Sequence, residues 1–253
     1  MSWLSKLTNL SLLVMLVSCT GDHNLWDCWS GFKRIKCDKP TAEQIAQNHL
    51  NNGDFSAAIE VLTPAIADEP ENYARYPLLA AAYAGRGGID ILGIARKQIG
   101  SSDSALTSFS AFLPTPNTVD AETYQQDLAD VASAVATLRA VPSNILTDSE
   151  AFPYSASAIL ELTIYQSSYS IMFLNQFIIS PTTGTITVDQ LANMTPEQAE
   201  QVITNLLAVG DLPQVSGNSN MQSAVSAIAT TINDQPGATT KDKIAAYVAT
   251  QNK

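Results

Sequence analysis

The sequence predicts an all-α fold. Three observations carry that prediction. Apolar residues recur at helical spacing through most of residues 40–251. Capping residues, glycines and prolines punctuate those stretches where helices would start and stop. A single segment, Ile179 to Val188 with its Thr182-Thr183-Gly184-Thr185, interrupts them with a strand-like or looped character.

Taken along the chain, Thr41-x-x-Gln44 behind Pro40 reads as a capping box. Ile45, Ala46, His49 and Leu50 then share one helical face, and Gly53 stands where a helix-ending glycine stands. A second helix is expected from about Ser56 to Ala67, with Ala58, Ile59, Leu62, Ala65 and Ile66 inward and Pro70 at its end. Pro64 lies inside it, removes a backbone donor and predicts a kink. A third is expected from Asn72 to Ala84, stopped by Gly85, Gly87 and Gly88. After a loop at Pro114-Thr115-Pro116, Val119 to Ala140 reads as a helix with Leu128, Val131, Ala132, Val135 and Leu138 as its face.

Tyr154 to Ile179 is the most apolar stretch beyond the N-terminal run. Glu161, Gln166, Asn175 and Gln176 break it, so it reads as a central buried helix and not a membrane span. Thr195-Pro196-Glu197 is an N-cap with proline at the first helical position, and Gly210 is read as that helix's stop. Asp211 to Asn220 reads as a loop, and Ser219 to Ile232 and Thr240 to Thr250 as the last helices.

Residues 39–85 resemble a tetratricopeptide repeat, a helix pair of about 34 residues. Ala46 takes the small position of the first helix and His49 stands where tyrosine is usual. Gly53-Asp54-Phe55 matches the turn, Ala58 and Ala65 the small positions of the second helix, Leu62 the large one between them, and Pro70 the closing proline. One repeat later stand Tyr76, Leu79, Ala80 and Tyr83, a full first helix of a second unit. Its second helix departs from the pattern, with Leu92, Arg96 and Ser104 at the marker positions. The resemblance implies an α-solenoid-like array of helix pairs over 40–100, with irregular helices of 101–253 packed on it. It also implies a groove lined by first-helix residues: polar Glu43, Gln47 and Asn51, then small Ala74, Ala81 and Ala84.

The N-terminus has its own organisation. Lys6 precedes an apolar run from Leu7 to Val17, too short to span a bilayer and of signal-peptide length. It ends in Leu16-Val17-Ser18-Cys19, which resembles the bacterial lipobox. That resemblance implies a signal peptide over 1–18 and lipid attachment at Cys19, with residues 19–39 as tether and loop. It implies a membrane partner through that lipid and an envelope location. Thr20, not Asp, follows Cys19, which favours the outer membrane facing the periplasm over the inner one. An ordinary secretory signal is the alternative. Cys28 and Cys37 would form a disulfide in such a compartment, with free thiols or a metal as alternatives. A loop of that size would contribute about 2.5–3 kcal/mol if closed.

Composition narrows the function. Hydrophobic residues make up 45% of the 253, enough for a sizeable core. The net charge of −11 disfavours nucleic acid, and Lys33-Arg34-Ile35-Lys36 is too short to be a basic patch. The two histidines, His23 and His49, sit in the tether and at a packing position, so no nucleophile–histidine constellation is legible. Gly85-Arg86-Gly87-Gly88 lacks the Lys-Ser/Thr of a phosphate loop and follows a helix. Asp127, Asp130 and Glu161 read as solvated or capping carboxylates. No catalytic residue, metal site or cofactor is expected. Two functions follow as expectations: a non-enzymatic protein or peptide interaction module on an envelope lipoprotein, or a carrier of a small hydrophobic ligand assisting a transporter. The second is architectural analogy to lipoprotein helpers of TRAP-type transporters.

Overall fold

A computed structural model describes residues 39–91, 94 and 105–251. Among the described residues the helices with full ranges are α1 (Ala42–Asn51), α2 (Phe55–Asp68), α3 (Arg75–Arg86), α4 (Ala105–Ser110), α5 (Ala121–Arg139), α6 (Ser143–Leu146), α7 (Ser155–Ile178), α8 (Pro196–Gly210), α9 (Ser219–Asn233) and α10 (Thr240–Gln251). A 3-10 turn lies at Asp189–Asn193. Among the described residues the β structure is one isolated antiparallel bridge, Ile179 to Ile186. The all-α expectation is therefore met. The strand-like reading of 179–188 reduces to a loop tightened by that bridge and by Thr187 N–H donating to Ile178 O at 2.7 Å.

Local chemistry accounts for the helix boundaries. Gly53 has φ +76°, the left-handed conformation that ends α1, and Asp54 N–H closes the turn on His49 O at 2.8 Å. Asp120 begins α5 by accepting from Thr123 N–H at 2.9 Å. Thr195 and Gln198 cap α8 reciprocally, at 3.2 and 2.8 Å, with Pro196 behind them. α2 continues through Pro64 to Asp68, although Pro64 offers no N–H to the carbonyl four residues before it. α3 starts at Arg75, after a turn at Tyr73 and Ala74, later than the periodicity suggests.

Two expected helix stops are not stops. α3 runs through Gly85, and α8 includes Gly210. A Cβ on Gly85 would stand 2.6 Å from Phe55 Cζ, and one on Gly210 would stand 3.2 Å from Ser226 Cβ. Each glycine admits a neighbouring helix, and the left-handed Gly88 (φ +74°) follows the end of α3.

The core has two parts. Ala46, Ala58, Leu62, Leu79 and Ala82 form a small cluster among α1, α2 and α3. Ala46, Ala58 and Leu62 are fully buried, whereas Ala65 is half-buried. The large cluster begins on the other face of α3 at Tyr76, Ala80 and Ala84 and continues through α5 and α7 to α10. A continuous core thus joins the described residues of 40–100 to those of 101–253.

α7 organises the large cluster. It packs against α3, α4, α5, α6, the 3-10 turn, α8 and α9. A repeat in a solenoid touches only its neighbours, so this part of the chain is arranged around a hub. Polar side chains help to pin the hub. Tyr124 Oη donates to Met172 O at 2.7 Å, Ser170 Oγ to Asn205 O at 2.8 Å, Asn218 Nδ2 to Thr163 Oγ1 at 3.1 Å and Asn175 Nδ2 to Ser110 Oγ at 3.1 Å. Each satisfies groups that burial would otherwise penalise. Among the described residues no helix is long and apolar enough to cross a membrane.

Candidate functional site

The groove positions expected from the helix-pair pattern do not stay together as a free surface. Glu43 is drawn into the fold: its Oε1 accepts from Arg75 Nε at 2.6 Å and from Asn72 Nδ2 at 3.1 Å. Ala84 is fully buried in the large core cluster and cannot line an open groove. Gln47 and Asn51 are exposed, bonded to each other across one turn of α1 at 3.1 Å. Ala74 and Ala81 are half-buried. Burial thus closes Ala84 off from any groove, and Arg75 engages the part-buried Glu43. Cys19, Cys28 and Cys37 lie outside the described residues, as do the marker positions Leu92, Arg96 and Ser104.

An open concavity of about 600 Å³ lies elsewhere, at the α1–α2 turn and the C-terminal end of α3. Gly53, Asp54, Phe55, Ser56, Ala57, Gly85 and Arg86 line it. Its floor depends on the contact of the Phe55 ring with Gly85, where no larger residue leaves the ring in place. Asp54 precedes α2 without a side-chain cap bond and lies 3.7 Å from His49 Nδ1. Of the lining residues, Gly53-Asp54-Phe55 read from the sequence as a turn, Gly85 as a helix stop, and Gly85-Arg86 as part of a glycine cluster without the features of a phosphate loop. The signal that could have found them is Gly85 itself, set inside an alanine-rich helical run.

Arg86 and Asp54 are the charged residues of this lining. Arg86 Nε and Nη2 bind Asp130 Oδ2 and Oδ1, both at 2.7 Å, and the guanidinium lies 5.5 Å from the centre of the Tyr83 ring. Asp130 also accepts from Gln126 Nε2 at 3.1 Å, and its side chain is 4% exposed. The expectation of solvated carboxylates is therefore corrected. Asp130 is a buried partner, Asp127 is raised above its ordinary value by burial and then by Asp130 and Asp120, and Glu161 has a buried Oε2. Helix periodicity could not show this, because the arginine that receives Asp130 is 44 residues away. Substituting Arg86 with Met should destabilise the fold by about 2 kcal/mol, since Asp130 is left buried and half-satisfied. Adding Asp130→Asn should recover much of that loss in urea titrations; no recovery would show that the pair is not what holds α3 to α5.

No family model, curated protein or solved structure matches the chain.

Proposed function

We propose that the protein is a lipid-anchored envelope protein that docks a protein or peptide without chemical catalysis. The observation that carries this reading is the open concavity between the α1–α2 turn and the end of α3. Its lining combines small residues, one aromatic ring, the exposed Asp54 carboxylate and an arginine held by Asp130, surroundings suited to an extended chain. The carrier reading would place its hydrophobic ligand beside α7, but that helix already packs against elements on several sides. Docking is tested with a photo-crosslinking residue at exposed Ser56 and a control at exposed Thr231 on α9. One reproducible adduct from Ser56 and none from Thr231 is expected in intact envelopes. Equal labelling from both positions, or none from either, would end this reading.

The anchor is a separate proposal resting on Leu16 to Cys19. Cys19→Ala should abolish fatty-acid labelling and leave an unprocessed precursor, because the thiol is the lipid acceptor. Cys28 and Cys37 follow no apolar run and cannot substitute. Metabolic labelling with a fatty acid decides it, and equal label in both proteins would show that Cys19 is not acylated.

A further inference from the structure

The α1–α2 turn carries the one Asn-Gly step of the sequence, Asn52-Gly53. An asparagine side chain and the next backbone nitrogen can close a five-membered imide, and glycine, with no Cβ, hinders that approach least. The fold decides whether such a step is open to the reaction. Asn51, Asn52, Gly53 and Asp54 are all exposed. A Cβ built on Gly53 would meet no atom within 4 Å, so its peptide has room to turn. The bonds that hold the step are few and local. Gly53 N–H donates to Leu50 O at 3.1 Å, and Asn52 Nδ2 donates to Asn48 Oδ1 at 3.2 Å. Both partners belong to the last turn of α1, a helix whose one buried residue is Ala46. A helix end held in this way opens locally far more often than the whole fold does.

Asn218-Ser219, the other step with a small residue after asparagine, is shut away. Asn218 is fully buried, its Nδ2 donates to Thr163 Oγ1 at 3.1 Å and to Pro213 O at 3.0 Å, and its Oδ1 accepts from Val215 N–H at 3.0 Å. Its amide cannot react without breaking the contact with α7. Asn48 and Asn51 are exposed, but the side chains of His49 and Asn52 follow them and crowd the attack.

We propose that Asn52 is a site of spontaneous conversion to isoaspartate, and that this covalent change undoes the α1–α2 turn. As the turn opens, Gly53 N loses its proton to solvent and attacks Asn52 Cγ. The new C–N bond forms, the Cγ–Nδ2 bond breaks, and Nδ2 leaves as ammonia with a proton from water. A water molecule then opens the imide at either carbonyl. Opening at Cγ gives aspartate. Opening at the backbone carbonyl leaves the chain running through Cγ, an isoaspartate with one more carbon in the backbone and a free α-carboxylate. The longer backbone shifts Gly53 from its left-handed place (φ +76°), and with it the Asp54 N–H that donates to His49 O at 2.8 Å. The added carboxylate stands one residue before Gly53, where the lining of the concavity begins. The chemistry is the same whatever the concavity binds.

Incubation of the full chain in warm, mildly alkaline buffer tests it, with the urea-unfolded chain alongside. The peptide 44–60, released by cleavage after Glu43 and Glu60, is followed by mass spectrometry with fragmentation that separates aspartate from isoaspartate. The folded chain should convert at Asn52, with isoaspartate in the product, about thirtyfold more slowly than the unfolded chain, because two hydrogen bonds must first break. Asn218 should convert only in urea. Asn52→Gln keeps the amide but enlarges the ring to be closed, and should leave the peptide unconverted at that position. In the isoaspartyl chain the Asp54 amide should lose its protection from hydrogen exchange. No conversion at Asn52 in the folded chain within about a hundredfold the time the unfolded chain needs would overturn the site. Equal rates at Asn52 and Asn218 in the folded chain would overturn the selection by the fold. An Asp54 amide still protected in the isoaspartyl chain would overturn the loss of the turn.

Discussion

Replacing Arg75 with Ala is expected to destabilise the folded chain by about 3 kcal/mol, roughly 10 °C in melting temperature for a chain of this size. Arg75 ties three helices together. Its Nε binds Glu43 of α1 at 2.6 Å, its Nη2 binds Glu69 just after α2 at 2.8 Å, and its Nη1 donates to Ala65 O near the end of α2. Its side chain is 10% exposed, against 26% for Glu43 and 64% for Glu69. Removing the arginine leaves Glu43 partly buried without its charge partner and frees a carbonyl at a helix end. Removing either acid leaves Arg75 with its other partners. The expected order of loss is therefore Arg75→Ala, then Glu43→Ala at about 1 kcal/mol, then Glu69→Ala below about 0.5 kcal/mol, because its pair is solvent-screened. Thermal melts followed by circular dichroism check the order. A Glu69 effect as large as that of Arg75 would show that burial does not control this network.

The second large effect is a fall in stability as pH rises. Glu161 has an ordinary value of 4.5 and is pushed up to about 7 by burial. The folded state then binds a proton more tightly than the unfolded one. The stability linked to it is fully present below about 4.5, declines as the pH climbs, and is lost once the pH passes about 7. The loss amounts to about 2–3 kcal/mol after allowance for the partial exposure of the residue. Asp127 is also raised, so it acts in the same direction, starting lower. The depressed carboxyls of Asp120, Glu197 and Asp242, each held down first by a hydrogen bond, have the opposite sign and lose their contribution only in more acidic solution. Urea titrations at intervals between about pH 4 and pH 9 should show the decline, and Glu161→Leu should remove most of it. This follows from burial alone. A wild-type profile flat above about pH 5 would mean that the Glu161 carboxyl reaches water in the native state.

The all-α class, the capped start of α8 and the buried character of α7 were legible in the sequence by itself. These are local matters: a cap is decided within three residues, and an apolar face within two turns. The packing of Ala46, Ala58 and Leu62 was legible for the same reason, because their spacing holds within one helix pair. Tertiary structure decided the rest. Gly85 and Gly210 read as helix stops, yet Phe55 and Ser226 make them points of close approach inside helices. Asp130 and Glu43 read as surface carboxylates, yet arginines 44 and 32 residues distant take them in. Glycine and a carboxylate each admit two structural uses, and the choice rests with whichever side chain the fold brings alongside. That neighbour is set by long-range packing, which helical periodicity does not encode.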